Sequence, residues 1–203
     1  VLACLLLLLV PAAAQEGRSF ALKGAKVYTV ARGVVDAGVV LVVDGKIVSV
    51  SDTVLGIPEG IPVRDCTGLV LIPGLVDTHS HLGVYSRPSV IANSDGNEMT
   101  GPVQGIVRAI DSLHPRDPGF RQALAGGVTT ANVMPGSGNV MGGQTAYVKL
   151  RGKTVEEMLI DLGGGPPGMK MANGENPKRS YGSRRQTPAT RMAVAALQRE
   201  ILL

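Results

Sequence analysis

The chain is 203 residues long, 44% apolar, 18% charged and 3% aromatic, with no Trp. That composition excludes a disordered or fibrous protein and points to a folded core built from aliphatic side chains. The formal net charge is +4, but its location argues against nucleic-acid binding: six basic residues against the single acid Glu175 lie between Lys170 and Arg191, leaving the rest near neutral, and Tyr181 is the only aromatic among them.

Residues 1–10 form an apolar run, too short for a membrane span of ~20 residues. Pro11-Ala12-Ala13-Ala14-Gln15 then supplies the small residues that a signal peptidase prefers. The expectation is a signal peptide at 1–14, cleavage after Ala14, an exported protein (periplasmic or secreted) and no stable membrane span once the leader is gone. Cys4 follows Val-Leu-Ala in the manner of a lipoprotein box, but five leucines come after it, which argues against lipidation. Cys66 is then the one remaining cysteine, so no internal disulfide forms and a buried, inert thiol is expected.

Residues 15–72 read as a small β domain. Val27–Val30, Val39–Val43, Ile47–Ser51 and Leu69–Ile72 are rich in β-branched residues, Asp44-Gly45 is a type I′ hairpin signal, and Gly56–Pro62 is a Pro/Gly loop. Pro73-Gly74 then turns the chain into Leu75–Thr78, an apolar run that suits a strand buried on both faces. His79 and His81 follow. In an extended strand, residues i and i+2 share a face, so the two imidazoles converge while Ser80 points away, and neutral imidazole is a ligand for Zn, Ni or Fe.

Beyond the His pair, Ser86–Gly105 is a long polar stretch, expected as a loop, and His114 falls in an exposed loop. Phe120–Ala125 is a short helix ended by Gly126-Gly127, and Val128–Met134 is a strand. Gly136–Gly143 lacks the Lys-Ser/Thr of a phosphate cradle and reads as a plain flexible loop. Val155–Leu162 is expected as a helix with Glu156 and Glu157 in its first turn, Gly168–Ala172 as a strand, and Thr190–Leu203 as a helix capped by Thr187 or Thr190.

Pro73-Gly74-Leu75-Val76-Asp77-Thr78-His79-Ser80-His81 resembles the first barrel strand of the metal-dependent amidohydrolases, whose general form is P-G-[LI]-[IV]-D-x-H-x-H. Leu22–Tyr28 and Val43–Val50 resemble the small β domain that precedes that barrel, and Ala125–Thr130 resembles the approach to its second strand. The resemblance implies an α/β fold: a partial (β/α)8 TIM barrel, about its first three strands, over 73–203, after a small β-sandwich-like domain over 15–72. A complete barrel takes roughly 250 residues, so the expectation is a fragment.

The implied chemistry is metal-dependent hydrolysis of a carbon-nitrogen bond (an amide, cyclic amide or peptide-like substrate) through water activated by a divalent metal, Zn, as one or two ions. Imidazolonepropionase-like and prolidase-like members are the nearest in look. His79 and His81 would be metal ligands, and Asp77 a carboxylate orienting an imidazole. Glu175 would be a further ligand if it stands at the tip of the third strand, with a salt bridge to Lys178 or Arg179 as the alternative. Other members use a carboxylated Lys on the fourth strand; no residue is assigned to that role, and Lys170 reads as a surface lysine. Arg87 is placed to meet a substrate carboxylate. Two further His and an Asp proton shuttle complete the site in the resembling family, so the general base is expected beyond Leu203 and the fragment alone is expected to be inactive. A small-molecule substrate is the expected partner, and the sequence is compatible with a homo-oligomer. The competing readings are a non-catalytic amidohydrolase-like scaffold and a small exported metal-binding protein.

Overall fold

The computed structural model describes residues 18–52, 56–165 and 167–203, and the signal-peptide expectation at 1–14 lies outside them. The chain divides into two compact units that meet between Pro73 and Gly74.

The first unit is one five-stranded sheet: β1 (Phe20–Tyr28), β2 (Val34–Val43), β3 (Lys46–Ser51), β4 (Val63–Asp65) and β5 (Val70–Leu71). The order is β3-β2-β1-β4, with β5 also pairing β1. β2 runs antiparallel to both β1 and β3, whereas β4 and β5 lie parallel to β1. Asp44 and Gly45 both adopt positive φ, 50° and 77°, as the type I′ turn between β2 and β3 requires. The first strand starts earlier than the β-branched run indicates and stops at Tyr28, because Val30 takes a left-handed φ of 66° and leaves the sheet. Ala25, Val27, Val40 and Val42 form the core, with Cys66 packed at its margin as a free thiol.

The second unit opens with β6 (Leu75–Ser80), crosses over through α1 (Ala109–Ser112) and α2 (Pro118–Ala125), and returns as β7 (Val128–Val133), parallel to β6. A parallel return needs such a crossover, and the helices cover the face it leaves apolar. Val84, Ala109, Leu113, Phe120, Ala131, Val133, Val148, Leu150 and Met158 make the core beneath them. Asp117 caps α2 by accepting from the Gly119 N–H, with Pro118 at the first helical position.

Several expectations from the sequence do not hold. Leu75–Thr78 is not buried on both faces: Leu75 is 50% and Val76 55% exposed, and only Ser80 of β6 is buried. The Gly-rich stretch is no flexible loop: Asn139 and Val140 are buried, and the chain continues as β8 (Met141–Gln144), also buried. β9 (Ala146–Lys149) then pairs antiparallel with β7, a return strand that the barrel resemblance does not include. The helix expected over Val155–Leu162 is only α3 (Val155–Met158), capped by Thr154, since Leu159 is already extended with ψ 135°. β10 (Met169–Met171) pairs antiparallel with β8, α4 spans Glu175–Gly182 and α5 spans Arg191–Leu202. Of the two proposed caps for α5, Thr190 holds the position, accepting from Ala193 N–H.

Candidate functional site

The carboxyl ends of parallel strands are where α/β folds place ligands, and the His pair sits at that end of β6. His79 is the next-to-last residue of the strand and His81 the first after it. Ser80 turns the other way and is buried, as the alternation predicts. The two imidazoles meet edge to face with ring centroids 5.4 Å apart.

Each ring has one nitrogen engaged. His81 Nδ1 lies 2.8 Å from the carbonyl oxygen of Met134, just past β7. A carbonyl only accepts, so this nitrogen carries the proton and Nε2 keeps a free lone pair. His79 Nε2 lies 3.0 Å from Lys170 Nζ on β10. The Lys170 ammonium holds the His79 pKa below its ordinary value; burial and His81 push the same way, and Asp77 opposes them. Burial also lowers the pKa of Lys170. Its side chain is 7% exposed, and its other neighbour is the Met134 sulfur at 3.5 Å. The surface placement expected for Lys170 is therefore wrong: its stem runs inward from a buried strand position and delivers the amine to the His pair.

The turn after His81 is fixed from below. Asp117, 3% exposed, accepts from Gly83 N–H at 3.2 Å through one carboxylate oxygen and from Gly119 N–H at 2.7 Å through the other. Gly83 has φ +76°, and a Cβ there would press against the Phe120 ring, so the turn leaves no room for a side chain. Asp77 accepts the His79 backbone N–H at 3.0 Å, bracing the strand end rather than an imidazole nitrogen. Glu175 opens α4, 68% exposed, and pairs with Lys178 at 3.3 Å. Arg87 is exposed beside the cis Arg87–Pro88 bond, and His114 is exposed as expected.

Two convergent imidazoles and a buried amine suit part of a metal site. Imidazole nitrogen is an apt donor for zinc, which usually takes three or four protein ligands. Among the described residues no group of three or more His, Cys, Asp or Glu assembles to hold an ion, so the donors present fit a partial set. Also among the described residues, no helix is long and apolar enough to cross a membrane.

No protein-family model matches the chain. It is 37% identical over 166 residues to Amidohydrolase tasK of Hapsidospora irregularis, an alignment covering 78% of this chain and 16% of that protein. It is 28% identical over 142 residues to a dihydroorotase of Citrifermentans bemidjiense, covering 70% of this chain and 28% of the relative. The chain thus spans less than a third of either curated relative. A crystal structure of an amidohydrolase from Thermotoga maritima superposes with a TM-score of 0.80 at 42% identity, over 89% of this chain and 46% of that one. Likeness of that extent, in sequence and in backbone together, goes with the His pair at a strand end: the chain belongs to the amidohydrolase superfamily.

Proposed function

We propose that the protein is part of a metal-dependent hydrolase of carbon-nitrogen bonds in a small amide, cyclic amide or peptide-like substrate. The observation that carries the reading is the convergence of His79 and His81 at the carboxyl end of β6, with Lys170 against His79. On this reading residues 73–203 are the first part of a (β/α)8 barrel, residues 15–72 belong to a small sandwich-like domain, and the remaining donors and the general base come from outside these 203 residues.

His79 and His81 would hold the ion, zinc by the softness of imidazole donors. Bound there, a divalent ion supplies Lewis acidity and a nucleophile drawn from water. The chain's own part is orientation. Met134 fixes the His81 tautomer, Asp77 and Asp117 hold the strand end and the turn after it, and Arg87 is exposed to meet a substrate carboxylate.

Lys170 is the candidate for the carboxylated lysine of the superfamily, although it lies on β10 rather than on a fourth barrel strand. Its neutral amine would add to carbon dioxide, forming a carbamate N–C bond and releasing one proton. Glu175 would have to leave Lys178 to serve as a ligand. Residues 1–14 are proposed as an export signal; a mature protein beginning at Gln15 supports that, and one retaining Val1 overturns it.

The test is zinc titration of the chain with turnover measured in parallel. Two imidazoles should supply roughly half of the 10–16 kcal/mol of a four-ligand zinc site, giving dissociation constants of roughly 1 μM to 0.2 mM. We expect His79→Ala or His81→Ala to abolish that binding, with no amide turnover by the chain alone. Zinc affinity unchanged in both variants would refute the ligand assignment, and turnover would refute the need for residues outside the chain.

A further inference from the structure

Tyr85 lies four residues past His81, and the role inferred for it rests on that metal-site reading. Its ring meets the His81 imidazole edge to face, with centroids 5.5 Å apart and planes at 90°. Its hydroxyl donates to Asn97 Oδ1 at 2.7 Å. Asn97 is itself held twice, donating through Nδ2 to the Gly136 carbonyl and to Asn139 Oδ1, both at 2.9 Å. A bridge between Tyr85 and Ser94, and a hydrogen bond from Gly136 N–H to the Gly96 carbonyl at 2.8 Å, tie together the loops that carry the phenol and its partners, with Tyr85 itself 44% exposed.

Two glycines show that the arrangement is built around this ring. Neither Gly96 nor Gly136 has a positive φ, so the backbone does not demand glycine at either place. Space does: a Cβ on Gly96 would overlap the Tyr85 ring, and one on Gly136 would overlap the Tyr85 hydroxyl and the Asn97 carboxamide oxygen. An aromatic used only as loop packing would not need one carboxamide on its hydroxyl, a second carboxamide behind that one, and an imidazole set perpendicular to it.

We propose that Tyr85 is a positioning residue for His81, and that Asn97, Asn139, Gly96 and Gly136 are its seat. The Met134 carbonyl accepts the hydrogen bond from Nδ1–H and fixes the tautomer, while the Tyr85 ring blocks rotation of the imidazole plane. Nε2 is thereby left pointing at one place. Groups that orient a ligating imidazole commonly control metal affinity by about 10–100-fold, and Tyr85 does so through ring contact in place of a second hydrogen bond.

The test uses the whole chain, labelled with 15N, and reads the His81 ring nitrogens first without metal and then in a zinc titration. Tyr85→Leu removes the ring, and Gly96→Ala displaces it while keeping every polar group, so one of the two remains if the other fails to fold. Thr190→Ala, which removes the cap of α5, serves as a control for lost stability away from the site. In Tyr85→Leu and Gly96→Ala, His81 should pass from the single Nδ1–H tautomer to a mixture and zinc affinity should fall about 10-fold, with Tyr85→Phe between them and wild type. The control should change neither. Unchanged His81 signals in both site variants, or an equal change in the control, would overturn the proposal. Zinc that moves neither imidazole in the wild-type chain overturns the metal reading instead, while a tautomer change confined to the Tyr85 and Gly96 variants still establishes the seat.

Discussion

Lys170 Nζ stands 3.0 Å from His79 Nε2, a cation held against an imidazole at the end of β6. A cation beside an imidazole opposes its protonation, which is the main cause of the lowered His79 pKa. Removing the cation should therefore let the proton on more easily. Lys170→Met is expected to raise the His79 titration midpoint toward the ordinary value of about 6.5, read by NMR on the metal-free chain. Burial and His81 still act in the variant, so the return should be incomplete. A midpoint that stays put or falls would show that the ammonium is not what sets it.

Asp117 joins two structures through one buried carboxylate: the first turn of α2 and the Gly83 turn that follows His81. Asp117→Ala loses a helix cap, worth about 1 kcal/mol, and strands a Gly83 N–H whose desolvation adds about 1–3 kcal/mol. A total loss of roughly 2–4 kcal/mol is expected in urea unfolding. Asp117→Asn keeps one accepting oxygen for the cap but turns an amide NH2, a donor, toward the Gly83 N–H, so it should still lose about 1–3 kcal/mol. An asparagine variant as stable as wild type would mean that the second backbone hydrogen bond contributes nothing.

What the sequence discloses and what it hides divide along range. Asp44-Gly45 demands its turn because both residues must reach positive φ, and Thr190 caps α5 through a bond three residues long; such signals are local and can be read directly. His79 and His81 are legible for the same reason, since strand alternation alone puts them together. Lys170 is hidden because its burial depends on β10 pairing with β8, and nothing within a few residues of it reports that contact. The glycines mislead for a related reason. Gly136 looks like flexibility in a Gly-rich stretch, yet it is space for the hydroxyl of a ring that arrives from a distant position in the chain, and Gly96 is space for the same ring from eleven residues away. Asn139 likewise looks like a loop residue until its four partners are seen, the nearest of them more than thirty residues away.

Spaces and hinges can be separated by substitution. Gly136→Ala drives a methyl group into the Tyr85 hydroxyl and Asn97, and overpacking of that kind costs about 1–3 kcal/mol. Gly164 has no positive φ, and a methyl group there would have open space within 4 Å. Gly164→Ala should be neutral or stabilising by up to about 1 kcal/mol, through the less flexible unfolded chain. Thermal unfolding of the two variants side by side checks the contrast. Similar shifts would argue that Gly136 is there for flexibility after all.

Asn139 offers the sharpest test of the buried network, because its near-isostere should be worse than its truncation. The side chain is 1% exposed. Its amide nitrogen faces the carbonyl oxygens of Glu98 and Gly101 and the Tyr181 hydroxyl, while its oxygen accepts from Asn97. Asn139→Ala leaves the Glu98 carbonyl without this donor, although Gly101 keeps the Tyr181 hydroxyl at 2.6 Å; a loss of roughly 2–4 kcal/mol is expected. Asn139→Asp puts an acceptor where the donor stood, so a carboxylate faces two carbonyl oxygens in a buried site and should cost more than the alanine. Burial and that repulsion both favour the protonated acid, which raises the folded-state pKa above the unfolded value of about 3.9. A raised folded pKa means that stability is recovered as pH falls through it. The penalty of Asn139→Asp should accordingly be largest at neutral pH and shrink on acidification, while that of Asn139→Ala should not narrow with it. Urea unfolding of both variants against wild type, at neutral pH and again at mildly acidic pH, measures this. An aspartate variant as stable as the alanine at neutral pH would mean that the nitrogen of Asn139 is not the donor to Glu98 and Gly101.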